Sequence, residues 1–259
     1  MFQKIKLRYV FAATLLTALV VGVGDGYTED MIVKGDALWR QRDTIGKARE
    51  AVAAWEAAAK ADNRNPELWV KIARGYFWIG ELTPESDKKA RMLLYEKGIK
   101  ASEKGLAIDP NHVGANFWQM VLQGRYTESK GLLSGFDLGN AINRTIVVTN
   151  NDIRYYNGGV YRYWGRVVYS VPSVMARFFK SDLDDAVDMY EEALKISPYF
   201  FETQLYIAET YIKMKDMEKA RKILEWVVKA DPEKMPDYAP ENRFYQKKAE
   251  ALLENNFGN

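Results

Sequence analysis

The sequence predicts an all-α protein made of antiparallel helix pairs, and three observations support this fold class. Apolar residues recur at helical spacing in most of the chain, as Ala51, Trp55 and Ala58 do. Small residues stand where the two helices of a pair would touch, at positions such as Ala208 and Ala220. Two stretches also share one register about 34 residues apart, so that four residues of the first have counterparts in the second: Ala186 and Ala220, Tyr190 and Leu224, Ala193 and Val227, Pro198 and Pro232.

A period of about 34 residues, with a proline closing each helix pair, is the pattern of the tetratricopeptide repeat (TPR). Ile207, Tyr211 and Leu224 would fill the space around the small residues at the helix contacts. The predicted fold is therefore an irregular TPR array, which acts as a helical scaffold that binds another molecule.

Residues 1–26 are predicted to be a signal peptide or an N-terminal membrane anchor. Lys4, Lys6 and Arg8 precede an uncharged run over residues 9–23, and small residues follow that run. About fifteen apolar residues fall short of the roughly twenty that span a bilayer. This length favours a cleaved signal peptide, with an uncleaved anchor and a buried first helix as the alternatives.

Residues 27–259 are predicted to form one helical-repeat domain. The apolar spacing, together with breaks at glycine, proline and asparagine, predicts helices over about residues 30–41, 44–61, 68–80, 83–108, 113–125, 140–148, 152–171, 182–196, 201–215, 217–230 and 241–255. Regular repeats are expected at about 44–80, 98–125 and 182–232, and residues 241–255 are expected to form a terminal capping helix.

Two parts of this domain depart from the regular pattern. The equivalent positions Trp69 and Asn116 are further apart than one period, so the second unit carries an insertion, and Gly98 and Gly105 are expected to interrupt its long helix. The apolar spacing weakens over residues 127–151, where three glycines occur, and the helix predicted there is the least regular of the set.

The composition excludes several functional classes. Lys and Arg number 37 against 35 Asp and Glu, so nothing indicates a basic face for nucleic acid. The chain holds one histidine and no cysteine, which excludes the usual zinc sites and a cysteine nucleophile. The acidic run from Asp182 to Asp185 is predicted to cap a helix rather than to bind a metal. No catalytic motif is found, and we predict a protein that is not an enzyme and that uses no cofactor and no metal.

The segment from Tyr155 to Arg166 is the candidate ligand-binding site. It combines aromatic residues with Gly158 and Gly159, two glycines in a predicted helix that would allow the close approach of another group. Helical spacing would place several of these side chains on one face, where two guanidinium groups could hold a carboxylate. The predicted ligand-binding residues are Tyr155, Tyr156, Arg162, Arg166 and Tyr169, with Asn116 and Arg125 from the preceding regular helix.

An alternative interpretation gives the same residues a structural role. Arg162 and Arg166 would then pair with acidic residues of neighbouring helices, and the aromatic rings would fill the core. Asn116 and Arg125 would lie on a solvated helix face. The two interpretations predict opposite effects of replacing the arginines, because a structural ion pair leaves an unpaired carboxylate behind when its arginine is lost.

The order of motifs resembles the T-component family associated with TRAP transporters. The resemblance covers residues 38–253, and the sequence runs that carry it are residues 105–112, 116–118, 124–125, 155–166 and 239–242. It implies a periplasmic all-helical protein whose degenerate repeats surround a ligand-sized cavity. It also implies that the protein binds a TRAP solute-binding protein and that it can form a homotrimer. The first functional hypothesis is therefore an exported accessory of a TRAP transporter, and the arginine-aromatic segment indicates that its small ligand is anionic. Family members carry a lipid-anchored cysteine that this chain lacks, so a lipid anchor is excluded here.

The second functional hypothesis is a peptide-binding or assembly scaffold of the bacterial cell envelope. A TPR array offers a groove formed by the first helices of each pair. The residues expected to face that groove by their repeat position are Arg74, Phe77, Trp78, Glu202, Leu205 and Glu209. An open groove would favour this hypothesis, whereas a sealed cavity lined by Arg162 and Tyr155 would favour a small solute.

Overall fold

The fold was analysed in a computed structural model that describes residues 26–131, 137–170 and 182–258. These residues form α-helices joined by short turns, and no strand occurs among them. The all-α prediction is confirmed. The predicted signal peptide or anchor lies outside the described residues except for Gly26. No helix within the described ranges is long and apolar enough to cross a membrane.

The helices follow the predicted order. They are α1 (26–39), α2 (Ile45–Ala61), α3 (Pro66–Leu82), α4 (Lys88–Ile108), α5 (Val113–Lys130), α6 (Leu138–Asp152), α7 (Tyr155–Ser170), α8 (Leu183–Ile196), α9 (Phe201–Met214), α10 (Met217–Lys229) and α11 (Ala239–Phe257). Two short 3₁₀ helices, Pro232–Lys234 and Pro236–Tyr238, form the proline-rich bend before α11.

Capping side chains explain most of the helix starts. A side-chain oxygen accepts a hydrogen bond from a first-turn N–H at Thr44, Asn65, Asp87, Asp137 and Asp216. At α8 the cap is reciprocal: Asp182 accepts from the amides of Asp184 and Asp185, and its own amide donates to the Asp185 carboxylate. The acidic run at Asp182 to Asp185 therefore starts a helix, as the sequence predicts.

Replacing Asp182 by alanine is expected to lower the free energy of unfolding by about 1 kcal/mol, because two amides at the helix start lose their acceptor. Urea denaturation measures this change. Asp188→Ala is the matched control, since Asp188 is an exposed aspartate further along the same helix. Equal effects of the two substitutions would contradict the capping role.

The repeat residues recognised in the sequence pack in the core. Ala186, Tyr190 and Ala193 of α8 are fully buried, and so are their counterparts Ala220, Leu224 and Val227 of α10. Ala208 between them is also fully buried, as expected for a small residue at a helix contact. In the first half of the domain, the indole rings of Trp55, Trp78 and Trp118 are the largest buried side chains.

Two elements differ from the prediction. Helix α4 continues without a break through Gly98 and Gly105, because both glycines lie where another helix approaches: a β-carbon at Gly98 would come within 2.8 Å of Leu122. Helix α6 extends to Asp152, and the predicted single helix over residues 152–171 instead begins with a turn of left-handed backbone at Tyr156, Asn157 and Gly158.

The last helix returns to the first repeats and closes the array on itself. The ring of Phe244 in α11 packs edge-on against Trp78 of α3, with 5.2 Å between ring centroids. Lys248 pairs with Glu85 at 2.8 Å, and Arg243 pairs with Asp43 at 2.8 Å. The side of the array that carries the predicted groove residues is thus bridged by α11.

Candidate functional site

A set of ion pairs lines the inner side of the array, where α3, α5, α7, α9 and α11 face one another. Buried charges are rare unless each has a partner, so the pairing pattern of these residues decides which of them can bind something else. The members within the described residues are Arg42, Arg74, Arg91, Arg125, Arg162, Arg166, Glu81, Glu128, Glu202, Glu209 and Glu241.

Arg162 is fully engaged by the protein. Its side chain is 4% exposed, and its Nε donates to Glu202 at 3.2 Å. Its two terminal nitrogens donate to the backbone carbonyls of Tyr156 and Asn157. These carbonyls belong to the left-handed turn, so Arg162 holds together a backbone conformation that L-residues rarely adopt.

Gly158 and Gly159 are each required in this segment for a different structural reason. Gly158 completes the left-handed turn with φ +73°, which side chains disfavour. Gly159 lies against α5, and a β-carbon there would come within 2.4 Å of the Phe117 ring. Both glycines therefore permit the close approach that the sequence predicts, and the approaching groups in the structure are protein atoms.

Arg125, Arg166 and Tyr169 come together in one cluster. Both arginines contact Glu128, at 3.0 Å and 3.4 Å, and Arg166 also pairs with Glu209 at 2.6 Å. The guanidinium of Arg166 lies 4.6 Å from the ring centroid of Tyr169. Burial alone would raise the pKa of the Glu128 carboxyl, but Arg125 and Arg166 outweigh it and lower that pKa.

A second carboxylate, that of Glu81, also pairs with Arg125. Glu81 is buried and pairs with Arg125 at 3.4 Å and with Arg91 at 3.3 Å. Burial would raise its pKa, yet these cations hold the pKa below its ordinary value. Arg125 also donates to the Tyr206 hydroxyl at 2.6 Å. The pKa of Tyr206 is raised well above its ordinary value, chiefly by burial, so the hydroxyl stays neutral and passes a hydrogen bond on to Glu202.

Asn116 stands apart from the other predicted site residues. Its side-chain nitrogen donates to the carbonyls of Pro110 and His112, at 2.9 Å and 3.1 Å, and its oxygen accepts from Arg144. The side chain is buried with all these partners in place. Asn116 thus fixes the start of α5 in the structure, and its hydrogen-bond partners do not include Arg162 or Arg166.

Tyr155 precedes the left-handed turn, and Tyr156 is the first residue of that turn. The turn breaks the helical spacing that would have placed Tyr155 on one face with Arg162 and Arg166, so this part of the prediction is wrong. The Tyr155 ring packs on Phe117, and the Tyr156 ring packs between Trp118 and Phe200. Burial raises the pKa of both tyrosines, so both hydroxyls stay protonated.

A cluster around Arg74 is the part of the inner side that the site prediction missed. Arg74 donates to Glu241 of α11 at 3.1 Å, and its guanidinium carbon lies 5.2 Å from the ring centroids of Trp39 and Tyr156 and 5.3 Å from that of Tyr238. Repeat position indicated that Arg74 faces inward. No signal in the sequence indicated that residues 39, 156 and 238 would meet around it.

A family model covers nearly all of the described chain. The model of regulator of microtubule dynamics protein 1-3 matches residues 31–256. The chain belongs to this family. No curated protein matches the chain. The family shown is therefore the regulator family, and the resemblance to T-components of TRAP transporters stays a prediction.

Solved structures similar to this family member share its repeat fold. TTC0263, a thermophilic TPR protein of Thermus thermophilus, covers 87% of this chain over 100% of its own length, with 15% identity and a TM-score of 0.59. PilF of Pseudomonas aeruginosa covers 90% of this chain over 93% of its own length, with 14% identity and a TM-score of 0.50. At this identity the likeness concerns the fold alone, and it confirms the predicted TPR array.

Proposed function

We propose that this family member is a protein-binding helical scaffold that is not an enzyme, and that helix α6 is its contact surface. The observation that carries the proposal is a row of exposed apolar side chains, Leu138, Ile142 and Ile146, which are 36%, 43% and 50% exposed. They are spaced by four residues and so lie along one face of the helix. Contiguous exposed apolar surface of this kind marks interaction sites.

The opposite face of α6 explains why this row is left outside. Ala141 and Val148 are buried, and Thr145 accepts a hydrogen bond from the indole of Trp164 in α7 at 2.9 Å. The one charged residue between the two ends of the helix, Arg144, turns toward Asn116 of α5. The outer face therefore carries no charge, and it fits an amphipathic helix of a partner protein with its own apolar row.

The predicted inner groove is filled by side chains of α11, and this favours α6 as the contact surface. Of the residues predicted to line a peptide groove, Trp78 packs on Phe244 and Glu202 accepts from the Tyr245 hydroxyl at 2.7 Å. Both partners belong to α11 of the same chain. A scaffold role is thus better served by the outer helix than by the inner groove that the repeat pattern predicted.

A photo-crosslinking residue placed at Ile142 of the full chain tests the proposal in cells. We expect a discrete adduct with one partner, and a purified partner should bind the wild type at least about tenfold more tightly than an Ile142→Glu variant. Asn143, an exposed neighbour on the same helix, is the control position and should give little adduct. Equal adducts at both positions, or none at Ile142, would overturn the proposal.

The identity of the adduct separates the partner classes. The family description names relatives as regulators of microtubule dynamics, and tubulin in the adduct would extend that description to this chain. An adduct of two copies would show that α6 mediates the homo-oligomer, such as a trimer, that the resemblance implies. A solute-binding subunit would instead support the transport role.

We propose as a second candidate that the protein is an accessory of a TRAP transporter, which binds a small acidic solute or the solute-binding subunit. Partly exposed arginines beside aromatic rings favour it, because Arg74 and Arg166 are each 24% exposed. Crosslinking of the full chain with a purified TRAP solute-binding protein tests the role. Failure of this crosslink under conditions in which Ile142 finds its partner would remove the transport role alone.

The cell compartment in which the protein acts depends on the predicted leader, residues 1–26. We propose that the chain is exported to the periplasm, and that an uncleaved leader would attach it to the inner membrane. Sequencing the N-terminus of the protein isolated from cells decides between them: a start near residue 25 or 27 indicates cleavage, and an intact start in the membrane fraction indicates an anchor. An intact chain in the cytoplasm would overturn export.

A further inference from the structure

We propose that Arg74, whose guanidinium lies beside the rings of Trp39, Tyr156 and Tyr238, anchors a binding site for a small organic carboxylate. This site rests on the second candidate function, the binding of a small acidic ligand, and gives that ligand a definite place. It differs from the site predicted from the sequence, in which Arg162 and Arg166 would hold the ligand.

The charges around Arg74 do not balance. Arg42 and Arg74 share one carboxylate, that of Glu241, which is 1% exposed. Arg42 takes both oxygens of this carboxylate, at 2.9 Å and 2.5 Å, and also donates to the backbone carbonyls of Trp39 and Asp237. Arg74 is left with a single hydrogen bond to an oxygen that Arg42 already uses. The cluster therefore retains one unneutralised positive charge.

Arg74 also keeps an unused donor. Its Nε is buried, and no hydrogen-bond acceptor for it exists among the described residues. Buried polar groups are nearly always paired, so the hydrogen-bonding capacity of Arg74 is incompletely used. Burial alone would lower the pKa of Arg74, but Tyr156, Glu241 and Tyr238 raise it above its ordinary value. The guanidinium is therefore permanently charged.

The surroundings select the class of ligand. A carboxylate is planar and accepts two parallel hydrogen bonds, which matches the donor geometry of a guanidinium. Its single negative charge equals the excess charge of the cluster, whereas a doubly charged phosphate would leave repulsion with Glu241. The three aromatic rings surround the guanidinium, and 24% of the Arg74 side chain is exposed, so part of this side chain is open to a ligand.

Arg166 provides an internal comparison. It has the same 24% exposure and the same unpaired buried Nε. In contrast to Arg74, it has two carboxylate partners, Glu209 and Glu128, so its charge is already neutralised. The two arginines are equally exposed, but only Arg166 is neutralised by the protein. An acidic ligand should therefore bind at Arg74 and not at Arg166.

Isothermal titration calorimetry of the full chain with benzoate tests the assignment, with benzamide as the neutral probe of the same shape. We expect benzoate to bind at least about tenfold more tightly than benzamide, because benzamide lacks the negative charge and so cannot form the charge-assisted pair with Arg74. The substitution Arg74→Met should remove this difference. Arg243→Met, at an arginine outside both arginine clusters, should keep it. Arg74→Lys, which retains the charge but loses the planar donor pair, should weaken benzoate binding several-fold.

Several results would overturn the site. They are equal binding of benzoate and benzamide, undiminished benzoate binding by Arg74→Met, or no binding of benzoate at about 10 mM, the weak limit for a real site. Loss of binding in Arg166→Met alone would move the ligand to the sequence-predicted arginine and leave the second candidate function standing. Arg74→Met should fold, because Arg42 still neutralises Glu241. If Arg74→Met does not fold, benzoate binding by Arg74→Lys decides whether Arg74 holds the ligand.

Discussion

Replacing Arg162 by methionine is expected to lower the free energy of unfolding by about 3–5 kcal/mol. The substitution leaves the buried carboxylate of Glu202 without its cation, and it removes the donors from the carbonyls of Tyr156 and Asn157. The left-handed turn would then lose the side chain that holds it. Thermal and urea unfolding of the purified variant measure the loss.

Two further variants separate this cause from general damage. Adding Glu202→Gln to Arg162→Met should recover part of the lost stability, because an amide oxygen still accepts from the hydroxyls of Tyr206 and Tyr245 and carries no charge. Arg243→Met is the control, since Arg243 is a half-buried arginine whose ion pairs lie at the surface and should contribute about 1 kcal/mol or less. Unfolding within a few degrees of wild type for Arg162→Met would show that Arg162 is available to a ligand instead.

Replacing Glu241 by methionine is expected to have an effect of similar size, about 3–5 kcal/mol. Glu241 neutralises the buried Arg42 and also binds Arg74, so its loss leaves two guanidinium groups together without a carboxylate. Because Arg42 and Arg74 belong to the first repeats and Glu241 to the last helix, the closure of the array would be weakened as well. Urea unfolding monitored by tryptophan fluorescence measures both changes.

Glu233→Met is the matched control for Glu241. Glu233 lies in the bend before α11 and pairs with Arg243 on the surface, with 57% of its side chain exposed. A surface pair of this kind contributes about 0–1 kcal/mol. A loss for Glu241→Met no greater than that for Glu233→Met would contradict the view that charge pairing closes the array.

The repeat itself could be predicted from the sequence because it depends on local spacing. Ala186, Ala208 and Ala220 had to be small where helices touch, and a 34-residue period needs no knowledge of distant parts of the chain. The same argument from local spacing wrongly predicted that Gly98 and Gly105 would interrupt α4. A glycine weakens an isolated helix, and only the neighbouring helix explains why α4 tolerates both.

The candidate site was predicted less completely, because helical spacing assumes an unbroken helix. Arg166 and Tyr169 follow that spacing and lie together. Tyr155 does not, since the left-handed turn at residues 156–158 rotates it away, and a tyrosine and an asparagine in that conformation are held there by Arg162. Asn157 and Gly158 have a local preference for left-handed backbone, but Tyr156 does not, and such residues usually occur singly, so local preference does not indicate a turn of three.

The sequence by itself determined the all-α class, the TPR register and the presence of an arginine-aromatic segment. Tertiary structure alone decided which of the arginines is neutralised. Arg42 and Glu241 are 199 positions apart in the chain and meet only because α11 lies against the turn between α1 and α2. Pairing of buried charges depends on distances of a few ångströms between such elements, and spacing along the chain carries no information about those distances.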